Sequence, residues 1–193
     1  MSPIDRERIT EAIETHKQMV AAFETSAMET IVAMAELIVQ SLREGGTLYL
    51  CGNGGSAADA QHIAGEFVGR FQTERRPLPA VALSTDTSVL TCIANDYDFE
   101  SVFARQVEAL VGSGDVLWAF STSGRSPNVV RAAETAKGKG ARVMAFTGRT
   151  NSRLESLADL CFCADAALTA RSQEIHQLAY HIICDLVEQS FRE

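Results

Sequence analysis

The stretch TLYLCGNGGSAADAQHIAGEFVGR, residues 47–70, decides the fold. Residues 47–51 are a short apolar run that stops at glycine, which suits a strand buried on both faces. Gly52, Gly54 and Gly55 follow, and their missing side chains let the backbone turn tightly and approach a ligand closely. From about residue 57 to residue 70 the apolar positions return at helical spacing. A buried strand, a glycine turn and a helix are the opening of a β-α-β unit.

The same order repeats downstream. Apolar runs predict strands at 80–83, 116–120, 142–147 and 160–163, and helices at 87–94, 100–111, 127–139, 154–158 and 171–191. Pro77-Leu78-Pro79 leads into the second strand, Gly112-Ser113-Gly114-Asp115 turns into the third, Pro127 suits a first helical turn, and Gly140 stops that helix. Continuous apolar strands alternating with helices specify a parallel sheet covered on both faces. The expectation is an α/β fold, a doubly wound five-stranded parallel sheet sandwiched by helices. Ligands of such sheets bind beyond the carboxyl ends of the strands, near a switch in strand order. Two amphipathic helices precede the first strand, over 4–23 (Ile9, Ile13, Met19, Val20, Phe23) and up to 43 (Ile31, Ala35, Ile38, Val39, Leu42), with Thr25-Ser26 as a cap for the second. This extension, residues 1–45, suits packing on a partner subunit or on its own domain. No repeat or linker divides the chain, so residues 1–193 read as one domain.

The chain has 193 residues, 46% of them apolar, enough for a core without disulfide or metal staples. Lys plus Arg number 17 against 25 Asp plus Glu, a formal charge of −8, which argues against a broad nucleic-acid surface. No apolar run approaches the ~20 residues of a membrane span, and residues 1–10 carry no apolar signal core. The five cysteines, Cys51, Cys92, Cys161, Cys163 and Cys184, are odd in number, form no Cys-x-x-Cys and mostly sit in apolar runs. They read as small buried hydrophobes in a reducing, cytoplasmic setting.

Polar residues at the strand ends carry the chemistry. Gly52, Gly54 and Ala57 fit the dinucleotide pattern G-x-G-x-x-A, but the acid expected about 20 residues on is missing: the nearest at the end of the second strand is Asp86, 32 residues beyond Gly54. Asn53, Gly54, Gly55 and Ser56 instead open a helix whose free N–H groups face whatever binds there. After the third strand, Ser121, Thr122, Ser123 and Ser126 bring four hydroxyls into six residues before a helix. One hydroxyl caps a helix; four form a donor-rich cup for a phosphomonoester. Arg70, at the end of its helix, either adds positive charge or is simply a solvated cation. His62 and Glu66, at i and i+4, share a helix face. Gln173 and His181 lie about 80° apart on the final helix, taking ~100° per residue. The four could together hold a divalent metal, for which imidazole and carboxylate suit zinc, or be ordinary helix-surface residues. His176 and Tyr180 read as packing or solvent-facing. Asn95-Asp96, after the short helix at 87–94, either binds sugar hydroxyls or only ends the helix.

CGNGGSAADAQHIAGEFVGRF at 51–71, STSGRSPN at 121–128 and ARSQEIHQLAYH at 170–181 together resemble the phosphoheptose isomerase family of the sugar-isomerase (SIS) fold, a flavodoxin-like sheet. The resemblance covers nearly the whole chain. It implies conversion of sedoheptulose 7-phosphate to D-glycero-D-manno-heptose 7-phosphate, which begins bacterial synthesis of ADP-heptose for lipopolysaccharide core. It implies zinc on His62, Glu66, Gln173 and His181, with Glu66 and His181 as the acid/base pair. It implies substrate contacts from Asn53, Gly54, Gly55, Ser56, Arg70, Asn95, Asp96, Gln173 and the hydroxyls of Ser121, Thr122, Ser123 and Ser126. It also implies a homotetramer with sites shared between subunits. Some relatives carry an acid where this chain has Ala170, so no role for that acid transfers. Other SIS-fold relatives are non-catalytic binding proteins, one of them associating with the bacterial replication initiator. They tend to lack the glutamate that matches Glu66, whose presence here favours the enzyme.

Overall fold

A computed structural model describes residues 5–192. The expected helix start at residue 4, and Pro3 before it, lie outside them. In chain order the elements are α1 (Arg6–Ser26), α2 (Met28–Arg43), β1 (Leu48–Cys51), α3 (Gly55–Val68), β2 (Ala80–Ala82), α4 (Thr87–Asp96), a 3-10 turn (Phe99–Ser101), α5 (Ala104–Leu110), β3 (Val116–Ser121), α6 (Pro127–Gly138), β4 (Arg142–Thr147), α7 (Arg153–Leu157), β5 (Leu160–Cys163) and α8 (Thr169–Gln189). The five strands form one parallel sheet in the order β2-β1-β3-β4-β5. This is the doubly wound arrangement expected from the apolar runs.

Side chains alternate across a strand, so each continuous run feeds two cores. On one face Leu48, Leu50, Trp118, Phe120, Met144 and Phe146 pack against α2, α3 and α8. On the other, Tyr49, Cys51, Leu117, Ala119, Val143 and Ala145 pack against α4 to α7. Asp115 pins the two central strands at their start: its Oδ1 accepts the Thr47 N–H at 2.8 Å and its Oδ2 the Gly112 N–H at 2.7 Å.

Three local expectations are corrected. Thr25 and Ser26 do not cap α2. Their hydroxyls donate back to the Ala22 carbonyl at 2.9 and 2.8 Å, because α1 runs to Ser26 and only Ala27 interrupts the two helices. Asn95 and Asp96 do not follow α4 but form its last turn. Cys92 is exposed and Cys161 and Cys163 are half-buried, while Cys51 and Cys184 are buried. In α4 it is Ile93 that turns to the core, which leaves Cys92 outside. Among the described residues no helix is long and apolar enough to cross a membrane.

His176 of α8 is fully buried among Phe120, Phe146 and Phe162. Its Nε2 meets the Thr147 carbonyl at 2.9 Å, so Nε2–H is the donor. Burial pushes this imidazole down to about 4, against a smaller upward pull from Thr147. A base whose folded value is depressed stabilises the fold above its unfolded value and loses that contribution as the pH falls. Stability should therefore drop between about pH 6.5 and pH 4 by ~3 kcal/mol from this group alone. Urea unfolding across that range checks it. His176→Phe should flatten the slope, and an unchanged slope contradicts the assignment.

Candidate functional site

The chain leaves β1 for β2 on one side and returns to build β3 on the other. The loops after β1 and β3 therefore diverge, and the crevice between them is where doubly wound sheets bind ligands. After β1, Gly54 has φ +56°, a conformation that favours glycine. α3 then begins at Gly55, where a Cβ would collide with the Gln173 amide. A side chain at Gly55 would oblige the Gln173 side chain to shift. Asn53 and Asn128 exchange amide hydrogen bonds, both 2.9 Å, tying the β1 loop to the start of α6. Ser56 is buried in the first turn of α3.

After β3, the Ser121 hydroxyl lies 2.9 Å from that of Ser126 and 3.3 Å from that of Ser123. Ser126 precedes Pro127 at the start of α6 but makes no side-chain cap; the Asn128 side chain accepts the Val129 N–H instead. Capping therefore does not consume the Ser126 hydroxyl, while Ser123 Oγ accepts the Arg125 N–H at 3.2 Å. Thr122 and Ser123 open onto a polar recess of about 500 Å³ shared with Arg125, Arg149, Thr169 and Ser172. Its two arginines bring positive charge for which the sequence offers only Arg70 as a candidate.

A second group forms where α3 meets α8. His62 Nε2 lies 3.1 Å from Glu66 Oε1, and the His62 and His181 rings are 5.1 Å apart. Ligand-capable atoms of His62, Glu66 and His181 all fall within 4.8 Å of one another. Two imidazoles and a carboxylate at that separation fit a divalent ion such as zinc. Gln173 sits two turns before His181, against Gly55. Phe71 stacks on His181 at 5.7 Å and 25°, and Tyr180 meets it edge-on at 4.6 Å. Burial lowers the His181 pKa; the His62 charge lowers it further and Glu66 opposes. The Asp59 carboxyl, one turn before His62, is pushed up to about 6 by burial, against His62 and the Tyr180 hydroxyl.

Other expected residues are exposed and make local hydrogen bonds. Arg70 is exposed and donates to the Gln72 carbonyl at 3.3 Å. Asn95 donates to Asp96 at 2.8 Å, and both are exposed at the end of α4. Sequence reasoning missed Asn128, Asp59 and Tyr180, whose partners lie 75 to 118 residues away or arise only when α3 and α8 pack.

It also missed the support beneath the site. Glu188, near the end of α8, accepts the N–H groups of Phe71, Gln72 and Thr73, each at 2.8 Å, and lies 3.5 Å from Arg75 Nε. Both side chains of this pair are 1% exposed. Arg75 in turn donates to the carbonyls of Glu66, Phe67 and Gly69 at 2.6, 2.9 and 2.9 Å. One ion pair thus fixes the end of α3, which carries Glu66, and the loop that carries Phe71.

A family model described as the SIS domain matches residues 13–148. A phosphoheptose isomerase of Roseiflexus sp. (strain RS-1) is 53% identical over 163 residues, covering 84% of this chain and 83% of its own. The structure of a phosphoheptose isomerase from Neisseria gonorrhoeae superposes with a TM-score of 0.90 at 41% identity, covering 95% and 98% of the two chains. One from Francisella tularensis gives 0.91 at 33% identity, covering 95% and 97%.

Burial alone would raise the Glu188 pKa, but the N–H groups of Gln72, Phe71 and Thr73 outweigh it and hold the carboxyl low. Its contribution is present above the ordinary carboxylate range and is lost as the pH falls below it. Glu188→Gln leaves Arg75 and an N–H group facing no charge, so it should cost roughly 3–5 kcal/mol in urea unfolding. A loss under about 1 kcal/mol would contradict this support role.

Proposed function

The chain belongs to the phosphoheptose isomerase family of SIS-domain proteins, sugar-phosphate isomerases of heptose metabolism, and from that premise we propose that it interconverts sedoheptulose 7-phosphate and D-glycero-D-manno-heptose 7-phosphate through an enediol. The observation that carries this reading is the meeting of Glu66 and His181, within 4.8 Å, at a site also served by His62. Isomerisation moves a proton between C1 and C2, and needs a base over that carbon pair and a group to manage the oxygen protons.

Glu66 takes the C1 proton of the ketose; the C1–H electron pair forms the C1=C2 double bond as the C2 carbonyl oxygen gains a proton. His181, in its protonated form, supplies that proton and then accepts the O1 proton as the C1 carbonyl forms. Glu66 returns its proton to C2. The far phosphate is gripped by the hydroxyls of Ser121, Thr122, Ser123 and Ser126 and by free N–H groups at the start of α6. Binding at that end helps hold C1 and C2 at the base. Asn53, Gly54, Gly55, Ser56 and Gln173 line the reacting end, and Arg70, Asn95 and Asp96 complete the contacts from the rim.

His62, Glu66, Gln173 and His181 would hold a divalent ion, zinc by the chemistry of their donors, which when bound stabilises negative charge developing on the sugar oxygens. Glu66 has two carboxylate oxygens, so holding an ion leaves one for proton transfer. The domain spans the whole chain, works in the cytoplasm at the start of lipopolysaccharide heptose synthesis, and assembles as a homotetramer through residues 1–45. In support of that assembly, Ile9, Ile13, Met28 and Val32 of α1 and α2 are 56, 52, 60 and 43% exposed.

Incubating the purified protein with sedoheptulose 7-phosphate should yield the aldose, and a strong chelator should slow it. Glu66→Gln should cut turnover by about 10²–10⁴-fold with the fold retained. Near-normal turnover in that variant excludes Glu66 as the base.

A further inference from the structure

Gly148 follows β4 at a point where three segments close on one another. Its N–H donates to the Thr122 carbonyl at 3.0 Å, and its own carbonyl accepts the Ala166 N–H at 3.2 Å. A Cβ at Gly148 would lie 2.8 Å from the Thr122 carbonyl oxygen and collide with the Ser172 hydroxyl. The loop after β3, the loop after β4 and the turn into α8 thus meet here, and the polar recess of about 500 Å³ opens between them.

Arg125 and Arg149 both line this recess. Arg149 Nη2 donates to the Ala167 carbonyl at 2.9 Å, which holds the guanidinium beside the start of α8. Among the described residues neither arginine has a carboxylate at ion-pair distance, whereas Arg131, Arg142, Arg153 and Arg171 each face one at 3.5 Å or less. Asp165 also lines the recess, so two arginines against one aspartate leave a net positive charge. The recess has a buried donor as well. Ser172 is 1% exposed and lines it, and its hydroxyl makes no hydrogen bond to another described residue. Buried hydroxyls ordinarily have a partner. The 21-residue α8 begins here with no side-chain cap, so its first N–H groups add to the donors.

We propose that this recess is an anion site that takes a phosphate group, held by the Arg125 and Arg149 guanidiniums, the Ser172 hydroxyl and the start of α8. It lies beside the Ser121–Ser126 hydroxyl pair and is separate from it. Guanidinium forks match phosphate oxygens, and the buried hydroxyl and helix N–H groups supply the remaining bonds. The phosphate could belong to the sugar phosphate itself or to a separate phosphorylated ligand; the chemistry of recognition is the same. The site does not depend on the isomerase reading, because its occupancy is read without turnover.

Ser121→Ala with Ser126→Ala removes the neighbouring hydroxyl pair and isolates the recess. In that background, inorganic phosphate followed by phosphorus NMR at low salt should still bind. Adding Arg125→Gln and Arg149→Gln should weaken it about 10–100-fold, and Arg149→Lys, which keeps the charge but not the fork, should weaken it less than Arg149→Gln. Thermal unfolding of every variant separates loss of the site from loss of the fold. No phosphate binding in the folded serine double variant, or binding indifferent to both arginines, would overturn the proposal. Sedoheptulose 7-phosphate kinetics on Arg125→Gln with Arg149→Gln then assign the source. A raised KM marks the phosphate as the substrate's own, and weakened phosphate binding at an unchanged KM marks it as a separate ligand's.

Discussion

The packing of α8 against α3 is the constraint on which the chemistry depends. Ala60, Ile63 and Phe67 of α3 share one core with Ala179, Tyr180 and Ile183 of α8. His62 and Glu66 stand beside those apolar positions, so the contact that buries the core also brings them to His181. At one end Gly55 leaves room for the Gln173 amide against the start of α3. Arg75 and Glu188 secure the other end. A buried ion pair is a poor source of stability in itself, but here it satisfies backbone groups that would otherwise be orphaned, and it holds a loop in register with the site.

The sheet order supplies the second half of the site. Because the chain reverses direction of growth between β1 and β3, the loops after those strands face a common crevice. The Asn53–Asn128 amide pair spans them. The hydroxyl cluster on one loop and the His62–Glu66 pair on the helix of the other, the proposed phosphate and proton-transfer groups, are thus set apart by the sheet. For the proposed anionic substrate the negative total charge would be offset locally by hydroxyls, helix N–H groups, and Arg125 and Arg149 at the polar recess.

The sequence made most of the fold legible because its signals are local. Apolar runs of four to six residues between glycines and prolines locate the strands, and the i, i+4 spacing of His62 and Glu66 survives as a 3.1 Å contact. What escaped was long-range or needed an exact packing angle. Glu188 lies 117 residues from Phe71, and no periodicity links an acid late in one helix to the N–H groups of a distant loop. Tyr180 read as a packing residue, and it is one, but its hydroxyl also touches His62, a contact that exists only once the helices meet. Thr25-Ser26 carried a capping signal that near-continuity of α1 and α2 overrode. The local spacing of Asn95-Asp96 did not reveal that the pair forms the last turn of α4.

On the proposed function, this crevice moves a proton, not a hydride, between C1 and C2 of a phosphorylated seven-carbon sugar. Running the reaction in D₂O and following the sugar by NMR tests that claim most directly. An enediol held at Glu66 exchanges its carbon-bound proton with solvent, so part of the aldose formed should carry deuterium at C2. Aldose free of deuterium, or ketose left unchanged by folded, metal-loaded protein, would contradict it.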